Sequence, residues 1–418
     1  LPRLSLTTAP LSSCHLRQVS LIFRDSSIDS NIDIAVVEVV KPEGKSFAPK
    51  KAYENFAEGR GKSAEEMLKM FCKWQKQGLK YNEDHPHRYD TALLITRENI
   101  CRNPYTQRCD TLGLAELGTM CSRYASCAIV QDNGLSAAFT IAHELGHLLN
   151  MPHDNDDKCS QFRGKKEESA KHMNVMSRML DHNTLPWIWS NCSRYYLTEY
   201  FQAGFGYCLE DEPWSNKIVE DDVELTLAGE LFSATKQCQY VFGKTSSICP
   251  YMPKCKRLWC TTTLDEKEGC RTQHMPWADG TPCDKNHWCL RGECTPKNRD
   301  ELRKVNGQWG AWQSWGSCST TCGVGVRRSE RFCDSPKPKF GGHFCVGERV
   351  RYESCKSRDC PIGSLDFRSH QCKHFNGKNF GLPEIPEDVK WIPKYADSKK
   401  DHFNLFHVIT FIKSFAAV

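Results

Sequence analysis

Residues His143 to Asp154 read HELGHLLNMPHD. On a helix His143 and His147, four apart, lie one turn above each other on one face, so two imidazoles can reach one zinc ion. Glu144 sits beside them, close enough to handle the proton of a water without being a ligand. His153 comes six residues after His147, too far along for a helix that continues straight. The chain must therefore turn back. Asn150 tolerates left-handed backbone and Pro152 stops a helix, so the two supply the means. Three neutral histidines leave one coordination position open, as in a catalytic rather than a structural zinc site. Zinc in such a site acidifies a water and polarises a carbonyl. Glu144 is the expected general base, taking a proton and returning it to a leaving amine.

The rest of the chain sets the context. Of its 418 residues 24 are cysteine, and 56 basic side chains face 51 acidic ones. The length argues for about three domains. So much cysteine points to an oxidising, extracellular setting with many disulfides, and disfavours a cytosolic enzyme or a nuclear factor. LPRLSLTTAPLSS at the start carries no signal-peptide pattern, so a leader is expected to have been removed or to lie upstream. The apolar tail Phe403 to Val418 contains His407 and Lys413 and is too short for a membrane span.

The cysteines fall into an eight (Cys72 to Cys208), a denser eight (Cys238 to Cys294) and a six (Cys318 to Cys360), leaving Cys14 and Cys372 over. Even sets fit three separately bridged domains, with connectivity open inside each. In the first, Ile32 to Val40 and Thr91 to Thr96 read as buried strands, and Ala64 to Lys76 and Leu135 to Leu149 as helices. Residues 41–63 read as a surface loop and 212–222 as a linker. The second has too little apolar periodicity for an ordinary core, so disulfides must substitute for one.

These stretches together resemble a known family. HELGHLLNMPHD looks like the zinc segment of the metzincins and, with Asn at the turn, of the ADAMTS proteases. CDTLGLAELGTMC ahead of the helix, and the order of the cysteine sets, extend the resemblance from about residue 20 to 401. PWIWSNCSRYYLTEYFQAGFGYCL is similar to the branch ending in a GON domain. The resemblance implies a multidomain fold. An α/β metzincin protease domain of mixed sheet and helices would occupy 20–215, without its first strand and after an unassigned 1–19. A disulfide-rich disintegrin-like domain would occupy 223–300, a β-rich thrombospondin type 1 repeat 306–361, and the start of a cysteine-rich and spacer region 362–418.

Site residues follow from the same resemblance. It implies zinc on His143, His147 and His153, Glu144 as catalyst, and Met176 as the Met-turn methionine beneath the metal. Gly113 to Ala115 would be the edge strand along which an extended substrate pairs. Calcium would take Asp90, Asp211, the Cys208 carbonyl and an oxygen of Asp84 or Glu83. In WGAWQSWGSCSTTCGVGVRRSERFC, Trp309, Trp312 and Trp315 recur every three residues, and tryptophan and guanidinium planes should stack in place of a core. Trp309 and Trp312 would be C-mannosylated and Thr321 O-fucosylated, while Asn191 heads the N-glycosylation sequon Asn-Cys-Ser.

From Glu301 to Pro361 eleven lysines and arginines face six carboxylates, a surplus of five that equals the net +5 of the whole chain. A compact positive module on an otherwise neutral protein suits sulfated glycosaminoglycans, with Arg328, Lys337 and Lys339 as candidates. Nucleic acid does not fit an extracellular chain of this kind. The expected function is a secreted zinc endopeptidase of the extracellular matrix that cleaves matrix proteins, chiefly proteoglycan core proteins. The alternative is a matrix-binding protein whose incomplete protease unit is inert.

Overall fold

The computed structural model describes residues 9–30, 32–36, 39, 63–78, 89–103, 109–122, 124–162, 174–179, 181, 183–210, 226–261, 269–356, 358–365, 367–378 and 388–393. Contacts divide the chain into two units: Leu1–Trp312 with Arg331–Arg349, and Gln313–Glu330 with Val350–Val418.

The first unit begins with helix α1 (Ala9–Phe23), followed by α2 (Ala64–Gly78), β1 (Ala92–Thr96), β2 (Gly113–Ala115), β3 (Cys127–Gln131), α3 (Ala137–Leu148) and α4 (Asn191–Gln202). β3 is central, parallel to β1 and antiparallel to β2, so β2 is an edge strand. Side chains alternate across a strand. Cys127 and Ile129 accordingly face Met67, Leu68 and Phe71 of α2, while Ala128 and Val130 join Ile141, Leu145 and Leu148 of α3 on the other side. A central strand covered by helices on both faces must be apolar where it is covered, and Cys127 to Val130 are apolar and wholly buried.

α2 starts with a reciprocal cap. The Ser63 N–H donates to the Glu66 carboxylate (2.9 Å) and the Glu66 N–H to the Ser63 hydroxyl (3.3 Å). Met67, Leu68 and Phe71 then recur at helical spacing, and Cys72 bridges to Cys127.

One segment had no expectation and one differs from its expectation. α1 (Ala9–Phe23) includes residues 9–19, which the sequence left unassigned. Its Val19, Ile22 and Phe23 are buried in the same core as α3, each apolar side chain contributing roughly 1.5–3 kcal/mol by burial. Of Ile32 to Val40, expected as strand, residues 32–36 and 39 make no ladder, and residues 37, 38 and 40 lie outside the described ones. Ile32 is buried and Ile34 packs on the core, so apolar character there reflects burial and not sheet pairing. The expected loop 41–62, the linker 212–222 and the tail 403–418 lie outside the described residues.

Further along this unit come α5 (Ala228–Leu231), α6 (Ala234–Phe242) and two small antiparallel sheets. One is built from β4 (Ser247–Ile248), β5 (Cys260–Thr261) and β6 (Cys270–Arg271), the other from β7 (Pro282–Asp284), β8 (His287–Leu290) and β9 (Glu293–Pro296). The core is mostly half-cystine: Cys238, Cys255, Cys260, Cys283 and Cys289 with Leu258 and Trp277. In the second unit β10 (Val324–Glu330) pairs antiparallel with β11 (Val350–Lys356) before a last helix, α7 (Phe367–His374).

Among the described residues eleven disulfides close within the three cysteine sets: four in the first, four in the second and three in the third. Cys372 is free, and the Cys14 side chain lies outside the described part.

Candidate metal centre

α3 ends where the sequence required a turn. Asn150 has φ +69°, the Met151 N–H donates to Gly146 O and the Asn150 N–H to His147 O (both 2.9 Å). That pair of bonds satisfies orphan carbonyls at the helix end and reverses the chain. The N–H groups of Gly118 and Met120 bond the carbonyls of His147 and Leu148, so the loop after β2 also secures this terminus. His153 is thereby brought back to the helix. Its ring centroid lies 5.2 Å from that of His143 and 4.6 Å from that of His147.

The three imidazoles each present a nitrogen within 4.8 Å of the others, and His147 Nε2 is 3.2 Å from His153 Nε2. Zinc–nitrogen bonds of about 2.0–2.1 Å in a tetrahedron place ligand nitrogens roughly 3.3 Å apart, so the spacing fits zinc. The opposite ring atoms are occupied. His143 Nδ1 bonds the carbonyl of Val175 (2.8 Å) and His147 Nδ1 that of Met151 (2.9 Å). A carbonyl accepts, so Nδ1 carries the proton and Nε2 is left as the electron-pair donor a metal needs.

Burial keeps the rings neutral. It pulls His143 down to about 3, helped by His147, and His153 down to about 4; His147 moves the same way. Protons compete weakly for such nitrogens, which suits them to a cation.

Glu144, on the same helix, is 4% exposed, and its Oε2 is buried without a hydrogen-bond partner among the described residues. Burial pushes this carboxyl up to about 8, where it can both hold and release a proton near neutrality. Met176 is wholly buried, with Sδ against Gly146 of α3, where a Cβ would come within 2.6 Å of the sulfur. The tight turn around it is held by Ser177 N–H to Asn174 O (3.0 Å) and by Asp154, whose carboxylate takes the Asn174 N–H and whose own N–H bonds Met176 O.

Backbone acceptors at Val175 and Met151 were not legible, because every residue carries a carbonyl. Gly113 was legible only as part of an edge strand, whereas a Cβ there would meet Glu144 Oε1 at 2.5 Å.

The other expected residues are less concentrated. The Asp90 carbonyl accepts from Ser126 Oγ, and Cys208 is bridged to Cys121. Glu83, Asp84 and Asp211 fall outside the described residues. Asn191 is exposed in the first turn of α4, accepting from Arg194, while Cys192 and Ser193 behind it are buried. Thr321 is exposed. In the first unit the Arg331 guanidinium lies 4.6 Å from the Trp309 ring and 4.5 Å from that of Trp312, and Lys337 and Lys339 are exposed. In the second, the Arg327 and Arg351 guanidinium groups lie 5.4 and 4.8 Å from the Trp315 ring, and Arg328 pairs with Glu330 at 2.6 Å. Stacking accounts for the tryptophans as expected.

Comparison with known proteins agrees with this geometry. Residues 61–213 match the reprolysin (M12B) family of zinc metalloproteases, 228–295 the ADAMTS cysteine-rich domain 2, and 310–360 the thrombospondin type 1 domain. Over 91% of the chain it is 43% identical to "A disintegrin and metalloproteinase with thrombospondin motifs gon-1" of Caenorhabditis elegans, of which it spans 17%. Similarity is equal, 43% over 93% of the chain and 19% of the relative, to motifs protein 20 of Mus musculus. It is 39% over 91% and 38% to motifs protein 15 of the same species. The chain thus covers well under half of these relatives. With the histidine triad, the ordered modules and their bridges in place, the chain belongs to the ADAMTS family of metalloproteinases with thrombospondin motifs.

Proposed function

We propose that the chain is the catalytic and adjoining part of a secreted zinc endopeptidase that cleaves extracellular matrix proteins, proteoglycan core proteins foremost. One observation carries the reading: three imidazole nitrogens converge at the helix that also carries Glu144, a buried carboxyl whose Oε2 has no hydrogen-bond partner among the described residues. His143, His147 and His153 would hold the metal, leaving a position open. Zinc, when bound, supplies a Lewis acid that acidifies a water and polarises the scissile carbonyl. Glu144 takes the proton of the attacking water and delivers it to the leaving nitrogen. Strand β2, at the edge of the sheet among the described residues, would present its outer side to an extended substrate, which would pair as an added strand.

Domain boundaries at 20–215, 223–300 and 306–361, and calcium bound by Asp90, the Cys208 carbonyl, Asp84 and Asp211, belong to the same reading. So do glycans on Asn191, Thr321, Trp309 and Trp312. Sulfated glycosaminoglycans would engage Arg328, Lys337 and Lys339, holding the enzyme in the matrix. Among the described residues no helix is long and apolar enough to cross a membrane.

The test is digestion of a purified proteoglycan core protein with and without a zinc chelator. The reading expects discrete new N-termini that vanish on chelation and return with zinc. Intact core protein under all conditions would favour the non-catalytic matrix-binding alternative.

A further inference from the structure

Within the first unit, where the protease and cysteine-rich modules meet, lies a chamber of about 410 Å³. Leu21 of α1, Phe139 of α3 and Trp187 come to its wall from the protease module. Val241 of α6 and Leu290 of β8 come from the cysteine-rich module, and Phe340 from the segment after it. Neither Glu144 nor a zinc histidine is among its lining residues. Protein interiors leave few voids larger than a water, whereas ligand sites span roughly 300–1,000 Å³ and favour the joints between modules. The wall is held by bridges: Cys238–Cys260 pins α6 and Cys255–Cys289 pins β8.

The polar groups of the wall are engaged with one another. Gln237 is 3% exposed; its Nε2 donates to Phe232 O (2.8 Å) and Thr281 Oγ1 (2.9 Å), and its Oε1 accepts the Ala278 N–H (2.9 Å). The Ser136 hydroxyl donates to Asn133 O (3.1 Å). Asp25 accepts the Ser27 N–H (2.9 Å) with one oxygen and pairs with Arg291 (2.8 Å) through the other. Groups whose hydrogen bonds are already made ask little of a ligand, so apolar surface governs what fits inside.

Charge decides the ligand's other end. Arg24, Arg291 and Lys339 line the chamber against Asp25 and Asp279, three cations to two carboxylates. Asp33 pairs with Arg24 (2.6 Å) and Asp25 with Arg291. Lys339, which is exposed, is the lining cation that has no carboxylate bonded to it among the described residues. An apolar interior with a lysine at the solvent side suits a hydrocarbon chain that ends in one negative charge.

We propose that this chamber binds a free medium-chain fatty acid, its hydrocarbon against Phe139, Trp187, Val241 and Leu290 and its carboxylate beside Lys339. The inference goes beyond the protease reading and does not depend on it.

The experiment titrates the fluorescent fatty acid cis-parinaric acid into the chain and then displaces it. Wild type is expected to bind one equivalent saturably. Displacement by decanoate, dodecanoate and tetradecanoate should strengthen roughly 4-fold per added methylene, the worth of burying each one. Dodecylammonium should compete about 5-fold less well than dodecanoate, the scale of an exposed ion pair, and Lys339→Glu should reverse that preference. Val241→Trp, which puts bulk into the chamber, should abolish binding. Should that variant not fold, Lys339→Glu carries the test, because its side chain is exposed.

Absence of saturable binding to wild type overturns the inference. So does displacement that ignores chain length or head-group charge, or either folded variant behaving as wild type does. Peptide hydrolysis, assayed on the same preparations, bears on the protease reading alone.

Discussion

Glu144 and Gly113 face each other so closely that no side chain fits between strand and carboxylate. Gly113 sits in ordinary strand, and its glycine answers a steric demand, not a conformational one. In Gly113→Ala the methyl must push the carboxylate aside or move β2. Because a misplacement of about 1 Å can cost on the order of 100-fold in rate, kcat/KM of this variant should fall ~10- to 100-fold while zinc is retained. Steady-state kinetics with metal analysis checks it. The residue types at the centre were legible in the sequence because HExxH spacing leaves little freedom. Their supports, the carbonyls of Val175 and Met151, carry no side-chain signature and needed the fold.

At the scale of elements, the end of α3 decides whether the third histidine arrives. Asn150 at φ +69° is the pivot. Alanine there is strained by its Cβ, and glycine is not. Asn150→Ala should lower stability by about 1 kcal/mol and release zinc faster, whereas Asn150→Gly should stay within a few tenths of a kcal/mol. Denaturant titration and zinc-release kinetics with a chelator separate the two.

This helix and its turn were readable because period, spacing and breaker agree. α1 was not, since APLSSCHLRQVSLIF has a weak apolar face, and its place in the core depends on Trp189 and α3, far away in sequence. The β-branched run from Ile32 misled for the opposite reason. Strand propensity describes a fit to a pleated, half-buried surface, and Ile32 found burial against the core without a partner strand.

Across the whole molecule, the modules of the first unit are joined by few polar contacts with consequences. Arg291 of the cysteine-rich module pairs with Asp25 after α1 (2.8 Å), and its N–H donates to Asp279 Oδ1 (2.7 Å). Burial pushes the Asp279 carboxyl up to about 6, against the opposing effect of Arg291. A carboxyl whose pKa is higher folded than unfolded binds its proton more tightly in the folded state. Stability therefore falls as pH rises from about 4 through 6, and stays lowered above that. Asp279→Asn keeps an acceptor for the Arg291 N–H and cannot ionise. It should raise the thermal midpoint by a few degrees at about pH 8, on the order of 1 kcal/mol, with no gain at about pH 4.5. Calorimetry at both pH values decides. The cysteine arithmetic anticipated that bridges would close within the three sets. It could not anticipate that Arg257 would bond a turn 76 residues away.

The central claim, that three histidines and Glu144 act together on a peptide bond, is most directly tested by Glu144→Gln. Peptide hydrolysis and zinc content are measured on the same preparations of wild type and variant. The account predicts one zinc per chain in both and a rate lower by about 100- to 10,000-fold in the variant, the usual worth of a general base. Equal rates, or a wild-type chain that hydrolyses peptide without bound zinc, would contradict it.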